Sequence, residues 1–365
     1  MAGSTFGKVF RITTWGESHG KGIGVVVDGV PSGLPLEEAD IQAYLDRRKP
    51  GQSKYTTARK EADKVQILSG IFEGKTTGTP VSMMVSNTDQ HSKDYSALAG
   101  LYRPGHADFS FDQKYGFRDY RGGGRSSGRE TIGRVAGGAL AAMVLKKLGI
   151  TFTTYTKSIG PVCSSEENFD PAFIMENNLY MADRDAYEKA SAYLDQCRQE
   201  KDSSGGIAEC RIYGVPAGLG EPVFDKLDAE LAKAIFSIGA VKGFEIGDGF
   251  EASRKKGSQN NDPFVPAGST ITTKTNHCGG ILGGISSGGP IVFRAAFKPT
   301  PSIARPQQTV AQDGNPTEIE IKGRHDPIIV PRAIVVVECM AAVVLLNALM
   351  ENMPARMDHI EKFYF

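Results

Sequence analysis

Apolar residues follow two rhythms along the chain, and each rhythm predicts a kind of element. Residues 9–15 and 23–27 are rich in alternating and β-branched positions, which predicts two strands separated by a glycine turn. Residues 36–49 instead place Ile41, Leu45 and Arg48 at i, i+4 and i+7, one face of a helix that Pro50-Gly51 stops. Residues 65–72 and 80–86 read as paired strands. A helix from about 129 to 148, crowded with Ala and Gly and ended by Gly149, predicts close helix packing. Residues 183–199 form an amphipathic helix with Tyr187, Ala190, Leu194 and Cys197 inward; 207–215 alternate as a strand, and 225–236 return to helix. The polar stretch 251–268, punctuated by Gly and Pro, reads as a loop and a candidate lid. Strands at 270–275, 291–297 and 318–322 lead to a last apolar helix from Arg332.

That last helix comes nearest to a membrane span. Glu338 and Asn347 interrupt residues 333–350 and Arg332 abuts them, so a buried core helix is expected and no membrane contact. RSSG before the small-residue helix and ISSG in the second half form a faint internal echo, and each half ends in a long apolar helix, as a duplication would give.

Composition narrows the function. Lys+Arg and Asp+Glu both total 42, so no overall positive field draws in a nucleic acid, and any anion is held by local clustering. The 43 glycines show no G-X-Y period and point to tight turns with a binding surface made partly of main chain. Cys163, Cys197, Cys210, Cys278 and Cys339 are odd in number and lack CxxC or Cys/His spacing, which fits reduced thiols in the cytoplasm and no metal site. The opening MAGSTFGKVFRITTWGESHG lacks the charged-then-apolar layout of a secretion signal.

Three segments carry chemistry. Gly16-Glu17-Ser18-His19-Gly20 matches the G-x-S-x-G string of a serine-hydrolase elbow, but a strand, VVVDGV, follows where the elbow needs a helix. His19 read alone is a turn histidine bonded to backbone; beside an acid and a hydroxyl it is a candidate catalyst. Arg103-Pro104-Gly105-His106-Ala107-Asp108 leads through Arg118, Arg121 and three consecutive glycines to Arg125-Ser126-Ser127-Gly128-Arg129-Glu130. Ser127 and Glu130 form an S-x-x-E capping box, and a helix N-terminus flanked by Arg125, Arg129 and Arg134 is also an anion site. The string imitates a P-loop, but Arg129-Glu130 stand where Lys-Ser/Thr is required. The third segment, Gly323-Arg324-His325-Asp326-Pro327, precedes the last helix; Asp326 fits an N-cap or a functional carboxylate.

These segments together resemble the chorismate synthase family. GESHG, RPGHAD with GGGRSSGRET, and GRHDP look like its three signatures, in order, and the likeness extends over nearly the whole chain, weakest at 158–205 and beyond 351. The resemblance implies one α+β domain over 1–365, a β-α-β sandwich with central helices between two antiparallel sheets, assembled as a homotetramer. It implies anti-1,4-elimination of phosphate from 5-enolpyruvylshikimate 3-phosphate, dependent on reduced FMN, with NADPH entering only as a source of reduced flavin. By resemblance His19 protonates the leaving phosphate, His106 sits by the flavin ring, and Asp326 assists proton removal. Ser18, Arg48, Lys54, Arg129 and Arg134 are implied for the substrate or a nicotinamide. Arg125, Ser126, Ser127, Gly239, Ala240, Gly283, Lys298, Pro299, Thr300, Pro301, Ser302 and Arg324 are implied for the flavin. The family often carries Asn where this chain has Gly239, so only backbone contact is expected there. The competing classes are a serine hydrolase acting through Ser18 and an RNA-binding module using the 103–134 arginines; few aromatic residues interleave the latter.

Overall fold

Extended, β-branched segments build two five-stranded antiparallel sheets in the computed structural model, which describes residues 3–52, 54–55, 62–87, 99–268, 270–321 and 326–365. The first sheet runs in the order Thr5–Phe6, Arg11–Gly16, Gly22–Asp28, Val81–Ser86, Val65–Ile67. The second runs Val241–Ile246, Ile291–Phe297, Gly206–Tyr213, Thr151–Ile159, Val162–Cys163. The helices are α1 (Glu38–Arg48), α2 (Asp108–Tyr115), α3 (Thr131–Lys147), α4 (Arg184–Gln199), α5 (Leu227–Phe236), α6 (Gly257–Asn260), α7 (Val330–Asn352) and α8 (Met357–Tyr364). With several further two-stranded sheets, the fold is mixed helix and antiparallel sheet.

Small residues fix how the layers meet. Helix α3 packs on the first sheet and on α7, while α7 and α5 pack on strands of the second sheet and on each other. A Cβ at Gly137 would stand 2.8 Å from Ile12 Cγ2, and one at Gly138 would stand 2.5 Å from the Cys339 carbonyl oxygen. Glycine therefore lets the α3 backbone touch the sheet on one side and α7 on the other. Ile41, Leu45 and Arg48 are the buried residues of α1, the face that the spacing predicts.

The polar residues that interrupt α7 are answered in place. Glu338 accepts both Nη groups of Arg47 at 2.9 and 2.7 Å, and Asn347 Oδ1 accepts the backbone N–H of Lys8, Val9 and Phe10. Long and apolar enough to cross a bilayer, α7 is instead buried along most of its length in the core.

Each sheet contains the same four-strand order, and beside each a two-stranded hairpin makes matching hydrogen bonds to a loop. Thr76 Oγ1 donates to the Pro31 carbonyl at 2.6 Å and accepts from Leu34 N; Ser286 Oγ donates to the Pro216 carbonyl at 2.6 Å and accepts from Leu219 N. Ile285-Ser286-Ser287-Gly288 thus corresponds to Lys75-Thr76-Thr77-Gly78. The RSSG string lies elsewhere, in the turns before α3, so the RSSG/ISSG echo joins non-equivalent positions.

Several expectations need correction. Residues 251–268 are not one loop: they hold part of a 3-10 helix (Gly249–Arg254), α6, and a strand, Phe264–Ala267, paired with Thr270–Thr273. The strand expected at 270–275 is the second of this hairpin; the first has no buried residue, so no dry face marks it in the sequence. Residues 65–72 break after Ile67, and Ile71–Phe72 pairs with Lys75–Thr76. Helix α2 sits inside the arginine-rich segment, with too few buried side chains to impose a helical rhythm.

Replacing Gly138 by Ala tests the helix crossing. Alanine favours a helix by about 1 kcal/mol over glycine, but overpacking against backbone costs about 1–3 kcal/mol. A lower midpoint in urea unfolding is expected, and a raised one would show that the crossing tolerates a side chain.

Candidate active site

The GESHG segment is a turn between antiparallel strands Arg11–Gly16 and Gly22–Asp28, with no helix following, so it is not a nucleophile elbow. Outside groups hold it. Asn87 Nδ2 donates to the carbonyls of Glu17 and Gly20 at 2.9 and 2.8 Å, and Arg125 Nη1 donates to that of Gly16 at 3.0 Å. Glu17, Ser18, His19, Asp119, Gly122 and Gly124 line a small cleft of about 170 Å³, and Ser18 Oγ is buried there without a partner among the described residues. A larger cleft, about 400 Å³, lies away from the signature segments around Lys8, whose ammonium is paired with Asp225 and Glu351.

Arginines converge behind this turn on one carboxylate. Asp63, 3% exposed, accepts Arg48 Nη2 at 2.8 Å on Oδ2 and Arg129 Nη1 at 2.9 Å on Oδ1. Arg129 Nε also reaches Asn87 Oδ1 at 2.6 Å, so the clasp is tied to the GESHG turn. Arg48 Nη1 donates to the Gly128 carbonyl and to Thr131 Oγ1, at the start of α3. On the other side Arg332 Nε donates to the Arg48 carbonyl at 2.9 Å, and its Nη1 to Asp326 Oδ2 at 2.5 Å. One chain of charge thus links the first signature to the third. Burial opposes the charge on Asp63, but Arg48 and Arg129 outweigh it and hold the carboxyl below its usual range.

The RPGHAD loop closes on itself: Asp108 accepts Arg103 through its N, Nε and Nη2 atoms. His106 Nδ1 lies 3.0 Å from the Pro104 carbonyl, which can only accept, so Nδ1 carries the proton. Nε2 lies 3.0 Å from Ser302 Oγ and accepts from it when the ring is neutral. Burial first, and then Arg103, lower the pKa of His106, favouring that neutral ring. Lys298 Nζ donates to the Gly105 carbonyl, Lys298 N to the Ala240 carbonyl and Ser203 Oγ to the Thr300 carbonyl. Ser204 N in turn reaches the Pro327 carbonyl, next to Asp326.

The fold therefore gathers His106, Gly239, Ala240 and Lys298–Ser302 at one end of the second sheet. His19, Asp326, Arg125, Ser126, Ser127 and Arg129 are joined to that end through the arginine chain and the start of α3. Arg134 bridges Glu130 and Ser237, beside Gly239. Ser127 caps the Gly128–Glu130 turn, accepting from Arg129 N, while the Glu130 side chain turns to Thr14 and Arg134, so the capping box is half formed. Ser126 Oγ bonds the Gly123 carbonyl. Two residues lie apart. Lys54 pairs with Asp195 on α4, and Gly283 sits in the hairpin before Ile291, a seven-residue strand of about 20 Å away from Lys298. Arg324 lies outside the described residues. Asp63, Asn87 and Arg332 were not among the sequence candidates. Arg332, standing just ahead of an apolar helix and behind Asp326, was the one with a signal.

Removing the Asp63 side chain leaves two buried guanidinium groups without their shared counter-charge, an expected loss of about 3–5 kcal/mol in chemical unfolding at pH 7. The depressed carboxyl stabilises the fold above its unfolded pKa of about 3.9, and that contribution is lost as pH falls through the lower folded value. Asp63→Ala with wild-type stability would remove the clasp from this account. For His106, ¹⁵N chemical shifts at pH 7 are expected to show a neutral ring protonated at Nδ1; a charged ring, donating from Nε2 to Ser302 Oγ, would overturn the neutral assignment.

Comparison with known proteins gives one answer. A chorismate synthase family model matches residues 10–350. The chorismate synthase of Agathobacter rectalis is 66% identical over 364 residues, 100% of this chain and 99% of the relative. That of Methanosarcina barkeri is 58% identical over 357 residues, 96% of this chain and 97% of the relative. A solved chorismate synthase structure superposes with a TM-score of 0.76 at 32% identity, covering 98% of this chain and 96% of that one. Matched by the family model over residues 10–350 and by relatives along its whole length, the chain belongs to the chorismate synthase family, lyases of the shikimate pathway.

Proposed function

We propose that the end of the molecule organised by Asp63 is where 5-enolpyruvylshikimate 3-phosphate and reduced FMN meet. The family reaction breaks a carbon–oxygen and a carbon–hydrogen bond in 1,4 relation, releasing phosphate and a proton and forming the second ring double bond of chorismate. The carrying observation is the unbroken hydrogen-bond chain that runs from the GESHG turn through Asn87, Arg129, Asp63, Arg48 and Arg332 to Asp326.

Residues near Lys298–Ser302 suit a flavin phosphate and ring. Thr300 Oγ1 is buried without a partner among the described residues, Lys298 supplies a cation at the Gly105 carbonyl, and Gly239 leaves open backbone next to Ala240. Arg125, Ser126, Ser127, Gly239, Ala240 and Lys298–Ser302 are assigned to hold the cofactor, with Gly283 and Arg324 assigned by family resemblance alone. When bound, the reduced flavin supplies electron density that eases phosphate departure.

The protein's own contribution is charge and proton placement. His19 donates a proton to the leaving phosphate from its cleft beside Ser18. Neutral His106 presents Nε2, held by Ser302, to the cofactor side. Asp326, oriented by Arg332, is the carboxylate that takes part in removing the ring proton. Arg129 and Arg134 neutralise substrate anions, and Arg48, with its Nη groups engaged, acts through Asp63 and the start of α3. Preorganised charge of this kind is where most transition-state stabilisation arises. Lys54 is assigned to the substrate or nicotinamide side by resemblance only; NADPH serves as a source of reduced flavin.

The same reading takes the chain as one domain, a helix-centred sandwich formed by internal duplication and assembled as a cytoplasmic homotetramer. The repeated sheet order and the matched Thr76 and Ser286 bonds support the duplication.

The test mixes the protein anaerobically with chemically reduced FMN and the enolpyruvyl phosphate and follows chorismate absorbance with phosphate release. Product only with reduced flavin is expected. His19→Ala, His106→Ala and Asp326→Ala are each expected to lower kcat by about 10²–10⁴-fold, the range of general acid–base catalysis. Near-normal rates in all three would overturn the assigned roles.

A further inference from the structure

The three consecutive glycines before Arg125 have three different physical reasons. Gly124 has φ of +51°, a left-handed backbone that favours glycine. Gly123 faces its own chain, since a Cβ there would stand 3.2 Å from Ser127 N. Gly122 has neither a left-handed backbone nor a crowding main chain; what stands against it is His19. A Cβ on Gly122 would lie 2.6 Å from His19 Nε2, closer still to Cδ2, and 3.2 Å from Ser18 Oγ.

We propose that Gly122 is a positioning residue for the elimination: its missing side chain is the space in which the His19 imidazole is seated. This rests on the reading of His19 as the proton donor and adds what fixes its place. Carbon–carbon contacts settle at about 3.5–4.0 Å, so a methyl group at 122 displaces the ring or the loop by about 1 Å. The loop is the stiffer partner. Asp119 accepts Arg121 through N, Nε and Nη2 at 3.0, 2.8 and 2.6 Å, closing the turn ahead of Gly122. On the far side Ser126 N and Oγ both bond the Gly123 carbonyl, and Arg125 reaches back to Gly16 and Thr14. The imidazole, a side chain on a turn, is what yields. Misplacing a reacting group by about 1 Å can cost about 10²-fold in rate, with little effect on substrate groups bound elsewhere.

The experiment is a double-mutant cycle of Gly122→Ala and His19→Ala, read in kcat, KM and thermal midpoint with reduced FMN and the enolpyruvyl phosphate. Gly122→Ala alone is expected to lower kcat by about 10²-fold with KM changed only a few-fold. In the His19→Ala background the same methyl no longer meets the ring and keeps only the 3.2 Å approach to Ser18 Oγ, a hydroxyl that can rotate away, so it is expected to change kcat by less than about twofold, the non-additivity of residues that act as a unit. Full additivity, or an unimpaired Gly122→Ala enzyme, overturns the proposal. If His19→Ala is itself near normal, the failure belongs to the proton-donor reading instead. Should Gly122→Ala fold poorly, the double variant decides: removing the ring is expected to restore the wild-type midpoint, and a double variant equally unfolded overturns the proposal.

Discussion

The constraint on which the layers depend is the crossing of α3 and α7, where the bare backbone of Gly138 lies against the Cβ and carbonyl oxygen of Cys339. Two consequences follow from that contact. Each helix is pressed onto a sheet, α3 by Gly133 and Gly137 and α7 by its apolar length, so both sheets inherit one geometry. And the turn that enters α3, through the Gly128 carbonyl, and the first turn of α7, through Arg332, both hydrogen-bond to a shared neighbour, Arg48.

Bringing cationic loops together raises a charge problem that Asp63 addresses. Arg48 is nearly inaccessible and Arg129 is buried, and like charges so placed would repel strongly in a poorly screened interior. A single carboxylate with one oxygen on each guanidinium fixes both orientations while leaving the pair with one net positive charge. On the proposed reading, that residue of charge is what draws substrate anions to the site. Full neutralisation would have abolished it, and none would have made the clasp costly to fold.

The Gly138→Ala and Gly122→Ala experiments concern glycines whose roles could not be read from the chain alone. Sequence rhythm showed α1 down to its inward residues, the two strands that flank GESHG, and the buried character of α7, because each has one wet and one dry face or a fully dry surround. It could not show α2 or the strand Phe264–Ala267, whose side chains are mostly exposed, nor that Val241–Ile246 is a strand. At the site, residue type and motif found the histidines and arginines. Asp63 was invisible, since an isolated acid in a polar stretch acquires meaning only when two arginines from distant segments fold onto it. Lys54, near Arg48 in sequence, parted from it because α1 ends between them and the chain turns toward α4.

The two site histidines illustrate why residue type alone does not assign a role. His19 lines its cleft with two carboxylate residues, Glu17 and Asp119, whereas His106 is half-buried beside Arg103 and Lys298. Burial first, and then Arg103, favour the neutral ring at His106, whereas the cleft that His19 lines carries acidic side chains. Environments that separate like groups are how one site runs acid and base steps at one pH. The division supports His19 as the donor to an anionic leaving group and His106 as a neutral partner on the cofactor side. It arises from placement: one ring stands in a turn seated against a bare glycine, and the other is closed into the Arg103–Asp108 loop.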